Sequence, residues 1–167
     1  MRWKPRVVVA SIIERHGKYL MVEEQIDGID VISQPSGHIE ANEEILHAVS
    51  RETLEETAWR FKPSALVSIA HLLNPDTNRI FIRFTFTGDL IEKVQGYEID
   101  ADIHAIKWMS YEEIKVKQQP HWRNVLVMQS LDAYRAGYRY PLEIINTLQA
   151  DNTCLEQNES LLASQAG

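Results

Sequence analysis

The chain has 167 residues, enough for one compact domain and short for two. With 44% hydrophobic and 25% charged residues it has the composition of an ordinary globular protein. Its net charge of −7 argues against a nucleic-acid polymer as partner, and the lone Cys154 excludes an intramolecular disulfide or an all-cysteine metal site.

Val7 to Ile13 is a short apolar run rich in β-branched residues, stopped by Glu14 and Arg15. It is too short to span a membrane and no small-residue cleavage site follows, so it predicts a buried strand. Arg15-His16-Gly17-Lys18 predicts a turn, with Tyr19 to Val22 returning as the second arm of a hairpin. Asp27-Gly28 and Pro35-Ser36-Gly37 mark loops. Asn42 is placed as a helix N-cap, ahead of a helix over Glu43 to Thr57.

Ala65 to Leu72 predicts a strand, ended by a turn at Asn74-Pro75-Asp76. Next, Ile80, Ile82, Phe84 and Phe86 alternate with Arg79, Phe81, Arg83 and Thr85. That period of two predicts a strand with one core face and one mixed face carrying two positive charges. Ala105 to Met109 is a short strand, and Ser110 caps a helix opening at Tyr111-Glu112-Glu113. A last helix runs from about Trp122 to Ala136, with Gly137 as its stop. Trp108 and Trp122 are expected to pack at the starts of the last two helical regions. The irregular alternation predicts an α/β sandwich with helices covering a sheet. The domain is expected over residues 1–149, with 150–167 a polar, flexible tail in which Leu161 and Leu162 could form a last turn.

The acid is not spread evenly. Six of the 24 acidic residues lie between Glu40 and Glu56, where Arg51 is the one basic residue. Glu52, Glu55 and Glu56 stand at i, i+3 and i+4, so a helix puts all three carboxylates on one face. Such like charges repel, which predicts a cationic partner, with a hard divalent ion such as Mg²⁺ the natural one. Gly37, in a loop just before the helix, would let a phosphate or metal approach the backbone. Arg51, eight residues after Glu43, can balance part of the cluster.

The segment GHIEANEEILHAVSRETLEETAW resembles the Nudix box, G-x5-E-x7-R-E-U-x-E-E-x-G-U with U a bulky aliphatic residue. Gly37, Glu43, Arg51, Glu52, Glu55 and Glu56 fall at the required spacing. Thr53 departs at an aliphatic position, Ala58 replaces the final glycine, and Trp59 is larger than usual. The flanking runs VVVASII, KYLMVEE, SQPSGHIE, NPDTNRIFIRFTF, IKWMSYEEI and RYPLEII are similar to the bacterial NudJ phosphatase group of that family.

The resemblance implies a Nudix-type α/β/α sandwich with a mixed β-sheet. It implies Mg²⁺-dependent hydrolysis, with Mn²⁺ able to substitute, of phosphoanhydride bonds in small diphosphates and triphosphates. Nucleoside di- and triphosphates and hydroxymethylpyrimidine diphosphate are the candidate substrates, with release of phosphate. An ADP-sugar or dinucleotide pyrophosphatase, or a non-catalytic nucleotide-binding module, are the alternatives. In the family pattern Glu52, Glu55, Glu56 and the Gly37 carbonyl hold metal, while Glu43, Arg51 and Gly37 also shape the box. Glu52 is the first choice for general base, with Glu98, Asp100 and Asp102 of a later loop as alternatives. Arg51 is placed with Glu52 among the catalytic candidates, and Arg83 and Glu40 are the substrate-binding candidates. His38 is read as loop, His47 as helix surface, and Phe81 as the one aromatic positioned for stacking. A small phosphorylated substrate, a cytoplasmic setting and no membrane complete the expectation.

Overall fold

The computed structural model describes residues 4–74, 79–117 and 121–148, in eight strands, three α-helices and one 3-10 turn. Strands β1 (Arg6–Ile12), β5 (Ser36–His38), β6 (Trp59–Asn74) and β7 (Arg79–Lys93) form one sheet in the order β5-β1-β7-β6. It is mixed: β1 runs parallel to β7 with Val8 opposite Arg83, while β5 and β6 are antiparallel to their neighbours. Strands β2 (Glu14–Arg15), β3 (Lys18–Ile26), β4 (Ile29–Ser33) and β8 (Ile103–Ser110) form an antiparallel second sheet around β3.

The two sheets make one layer between two cores, because neighbouring residues on a strand point to opposite faces. Ile13, Leu20 and Leu66 pack with Ala48 and Val49 of helix α1 (Ile45–Thr57). Their neighbours Ile12, Tyr19, Met21 and Val67 pack against the other face. There they meet Ile114 of α2 (Tyr111–Lys117) and Val127, Met128 and Leu131 of α3 (Leu126–Arg135). The expected α/β/α sandwich with a mixed sheet is the observed one. After α3 the chain returns through a Leu66–Tyr140 bridge, and Leu142 and Ile145 pack on the α1-side core.

Several local expectations need correction. The hairpin at His16-Gly17 joins β2 to β3, not β1 to β3, because the chain changes sheets at Ile13. Asn42 does not cap α1. It takes a left-handed turn at φ 64°, and the helix starts at Ile45 behind an extended Glu44. Helix α3 begins at Leu126, because Trp122 instead bridges to Ile32 beside β4. Trp108 lies within β8, opposite Leu20, rather than at a helix start. On β7 the mixed face is the better buried: Arg83, Thr85 and Thr87 are all buried, whereas Ile80 and Ile82 are partly exposed. The turn after Asn74 and the tail from residue 149, with Leu161 and Leu162, lie outside the described residues.

Candidate active site

Helix α1 packs across β5 and β1, which places the last two turns of its acidic face against the Ser36-Gly37-His38 strand. Glu52 and Glu56 are both buried, at 9% and 7% exposure. The Glu52 carboxylate fills the space beside Gly37, where a Cβ would stand 2.1 Å from its carboxyl carbon. Any side chain at position 37 would therefore expel Glu52. The Ser36 amide donates to Glu56 Oε2 at 2.8 Å. Burial dominates both carboxyls. It raises Glu52 above the ordinary carboxylate range and pushes Glu56 up to about 8, with the charges of Glu52 and Glu24 adding to the latter.

Arg51 is the hub that assembles the rest of the acidic segment. Its Nε and Nη2 donate to the two oxygens of Glu43 at 2.7 and 2.8 Å, a forked geometry that suits a planar guanidinium. Its Nη1 donates to Glu52 and Glu55, each at 2.8 Å, and Nη2 also reaches the His38 carbonyl at 3.0 Å. Hydrogen bonds from Arg51 hold the Glu43 carboxyl down at about 2. Glu43 also accepts from the Glu40 amide at 3.1 Å, closing the turn before the helix. Arg51 thus ties β5, the turn and α1 together. Glu55 faces this hub, with 31% of its side chain exposed.

The departures from the box are compensated locally. Thr53 is fully buried, but its hydroxyl donates to the Val49 carbonyl at 2.7 Å and lies 2.9 Å from Ser11 Oγ. Ala58 adopts the left-handed conformation at φ 61° that the usual glycine would supply, and its amide caps the Leu54 carbonyl. Arg15 stacks over the larger Trp59 at 4.9 Å.

Two cavities meet at β5. The larger, about 300 Å³, is acidic, with Glu24, Glu40, Glu52, Glu56, Asp100 and Asp102 in its wall. Asp100 is fixed by its amide bonding the Glu55 carbonyl at 2.9 Å, so part of the loop read as an alternative base does reach the site. Glu98 and Glu55 are not in that wall. The smaller cavity, about 130 Å³, has apolar walls from Val8, Leu72, Phe81 and Leu126, with Arg83 and Asn124 supplying polar groups. Ser36, Gly37, His38 and Arg123 border both.

Arg83 is 3% exposed. Its Nη2 donates to Gln34 Oε1 at 2.8 Å, and Gln34 in turn donates to the Val127 carbonyl. Its Nε has no partner. Desolvation, with the nearby Arg123 charge, brings its pKa down to about 10. His38 and Phe81 stand side by side, ring centres 6.4 Å apart, so both face the small cavity. Burial, then Arg6 and Arg123, lower the His38 pKa. His47 lies on the helix surface bonded to Glu43. Sequence reasoning missed Glu24, Gln34, Arg123 and Asn124. Glu24 and Gln34 lie in flanking runs whose side-chain roles a sequence does not show, and Arg123 and Asn124 reach the box through the pairing of β4 with the segment before α3.

Known proteins share this pattern. The NUDIX domain family model matches residues 2–129. Phosphatase NudJ from Escherichia coli strain K12 is 38% identical over 143 residues, covering 86% of this chain and 92% of that protein. A NUDIX hydrolase from Nitrosomonas europaea is 40% identical with a TM-score of 0.84, over 89% of this chain and all of the other. An ADP compounds hydrolase at 14% identity and TM-score 0.64, matching 82% of this chain and 75% of its own, shares the fold alone. With a family match across most of its length and this identity to a phosphatase, the chain belongs to the Nudix hydrolases and is a phosphohydrolase.

Proposed function

We propose that the protein hydrolyses phosphoanhydride bonds of small diphosphates and triphosphates with Mg²⁺, releasing orthophosphate. The observation that carries the reading is the acidic cavity. Glu52 and Glu56 are buried beside Glu24 with only one guanidinium in the same wall, an arrangement that repels an anionic substrate unless cations offset it. The donor set fits the implied metal: hard carboxylate oxygens on one helix face, against a glycine strand with no side chain in the way. Among the described residues no three His, Cys, Asp or Glu side chains are arranged as a ready metal-binding group, so the proposed centre draws on Glu52, Glu56 and backbone oxygen.

Glu52, Glu56 and the Gly37 backbone would hold the metal, with Glu55 joining when its bond to Arg51 is exchanged. A Mg²⁺ ion held there would supply charge neutralisation and lower the pKa of the attacking water. Glu52, held at once by Arg51 and by the wall at Gly37, is positioned to take a proton from the attacking water. Asp100 and Asp102 stand across the cavity as the alternative acceptors. Arg83 presents a buried donor to the substrate from the small cavity, and Phe81 and His38 offer ring faces. Glu40 borders the acidic cavity instead. Nucleoside diphosphates and hydroxymethylpyrimidine diphosphate are the substrates to try first. The similarity to a phosphatase favours orthophosphate over pyrophosphate as product. The single cysteine suits a cytoplasmic setting, and among the described residues no helix is long and apolar enough to cross a membrane.

A release assay over nucleotides and pyrimidine diphosphates, reading orthophosphate and pyrophosphate separately, tests the reading. Turnover is expected with Mg²⁺ and none with excess chelator. Glu52→Gln is expected to lower kcat by orders of magnitude while the protein stays folded. Activity that survives chelation, or a near-normal Glu52→Gln enzyme, contradicts it.

A further inference from the structure

Arg123 is the one Lys or Arg in the wall of the acidic cavity among the described residues, and it also borders the small cavity. Its backbone is locked: the Arg123 amide donates to the Ile32 carbonyl at 3.0 Å, and the Ile32 amide to the His121 carbonyl at 2.9 Å. Its guanidinium pairs with Glu24 of β3, whose side chain is 12% exposed against 41% for Arg123. The carboxylate is therefore fixed in the wall, while the cation keeps an open side that a second anion can reach.

The small cavity gives an independent reason to expect that anion. Arg83 and Arg123 both border it, and among the described residues no carboxylate does and the buried Arg83 Nε lacks a partner. Arg83 pairs with a neutral amide and Arg123 with the Glu24 carboxylate, and Glu56 is the further carboxyl that acts on both, so on the small-cavity side of the junction neither guanidinium faces an acidic partner. Beyond the junction the field reverses to six carboxylates, where a bare phosphate gains nothing.

Resting on the functional reading above, we propose that Arg123 is a substrate-positioning residue that exchanges Glu24 for a phosphoryl oxygen of the diphosphate. The phosphoryl group would lie over the Ser36–His38 strand, between the acidic cavity and the small cavity that takes the rest of the substrate. Glu24 holds the guanidinium at the junction until substrate arrives, and it competes with substrate for it. The site therefore recognises a diphosphate ester by charge reversal along its length.

Calorimetry with methylenediphosphonate, whose P–C–P bridge resists hydrolysis, tests this in the presence of Mg²⁺. Arg123→Gln should weaken binding about tenfold or more, with Arg123→Lys intermediate because it keeps the charge and loses the fork. Glu24→Gln should tighten binding, and should have no effect in the Arg123→Gln background. In turnover, Arg123→Gln should raise KM for a nucleoside diphosphate more than it lowers kcat. Unchanged binding and KM in Arg123→Gln, or weaker binding in Glu24→Gln, overturns the proposal while leaving the hydrolase reading standing. A wild-type protein that hydrolyses neither diphosphates nor triphosphates removes that reading and this one with it.

Discussion

Ala58 shows at the scale of one residue how a motif tolerates a departure. The exit of α1 needs a left-handed residue, and Ala58 adopts φ 61° despite its Cβ. The left-handed conformation costs an L-residue about 1–2 kcal/mol, partly offset because alanine restricts the unfolded chain more than glycine does. Ala58→Gly should therefore raise unfolding stability by about 0.5–1 kcal/mol, read as a higher urea midpoint at unchanged slope. A fall in the midpoint would mean that the buried methyl group matters more than the backbone. Thr53 teaches the complementary lesson. Its hydroxyl looks misplaced at an aliphatic position, yet Ser11 and the Val49 carbonyl satisfy it. The box residues were legible because their spacing is local. Of the two groups that satisfy Thr53, the Val49 carbonyl lies one turn back on α1 and Ser11 lies 42 residues away.

At the scale of elements, the turn before α1 is held by charge where a polar cap was expected. Asn42 turns left-handed, and Glu43 instead bonds Arg51 and the Glu40 amide. A carboxyl held at about 2, against an ordinary value of 4.5, stabilises the fold above 4.5 and loses that contribution as pH falls toward 2. Glu43→Gln should therefore lower the Tm near neutral pH, with the gap from wild type closing in the acid range. A gap that persists undiminished at pH 2 would contradict the ion-pair account. The same scale shows what periodicity cannot read. Alternation identified β7, but it took the Ile and Phe face as the sole core, because it judges burial by side-chain polarity. The central position of β7 between β1 and β6 buries Arg83 and Thr85 as well. Likewise the hairpin was visible, whereas the change of sheet at Ile13 depends on pairings distant in sequence.

Across the whole molecule, part of the acid behind the charge of −7 is gathered in one place. The acidic cavity draws Glu40, Glu52 and Glu56 from the box and Glu24, Asp100 and Asp102 from elsewhere, and it abuts a cavity bordered by two guanidiniums. The sequence alone placed the first three, since one helix and its preceding turn carry them. Glu24 arrives through β3, Asp100 and Asp102 through the loop whose Asp100 amide bonds the end of α1, and the Arg123 guanidinium through the segment pinned to β4. Glu56 is the most sensitive reporter of this arrangement. Burial pushes its carboxyl up to about 8, so it holds its proton more tightly than an exposed glutamate and a bound divalent ion would compete with that proton.

Titration calorimetry of Mg²⁺ into the metal-free protein near pH 7, in buffers of different ionisation enthalpy, tests this most directly. The wild type should bind Mg²⁺ with proton release, and Glu56→Gln should lose that release and bind at least tenfold more weakly. Equal Mg²⁺ binding by wild type and Glu56→Gln, without proton release in either, would contradict a metal centre built on the buried carboxylates of α1.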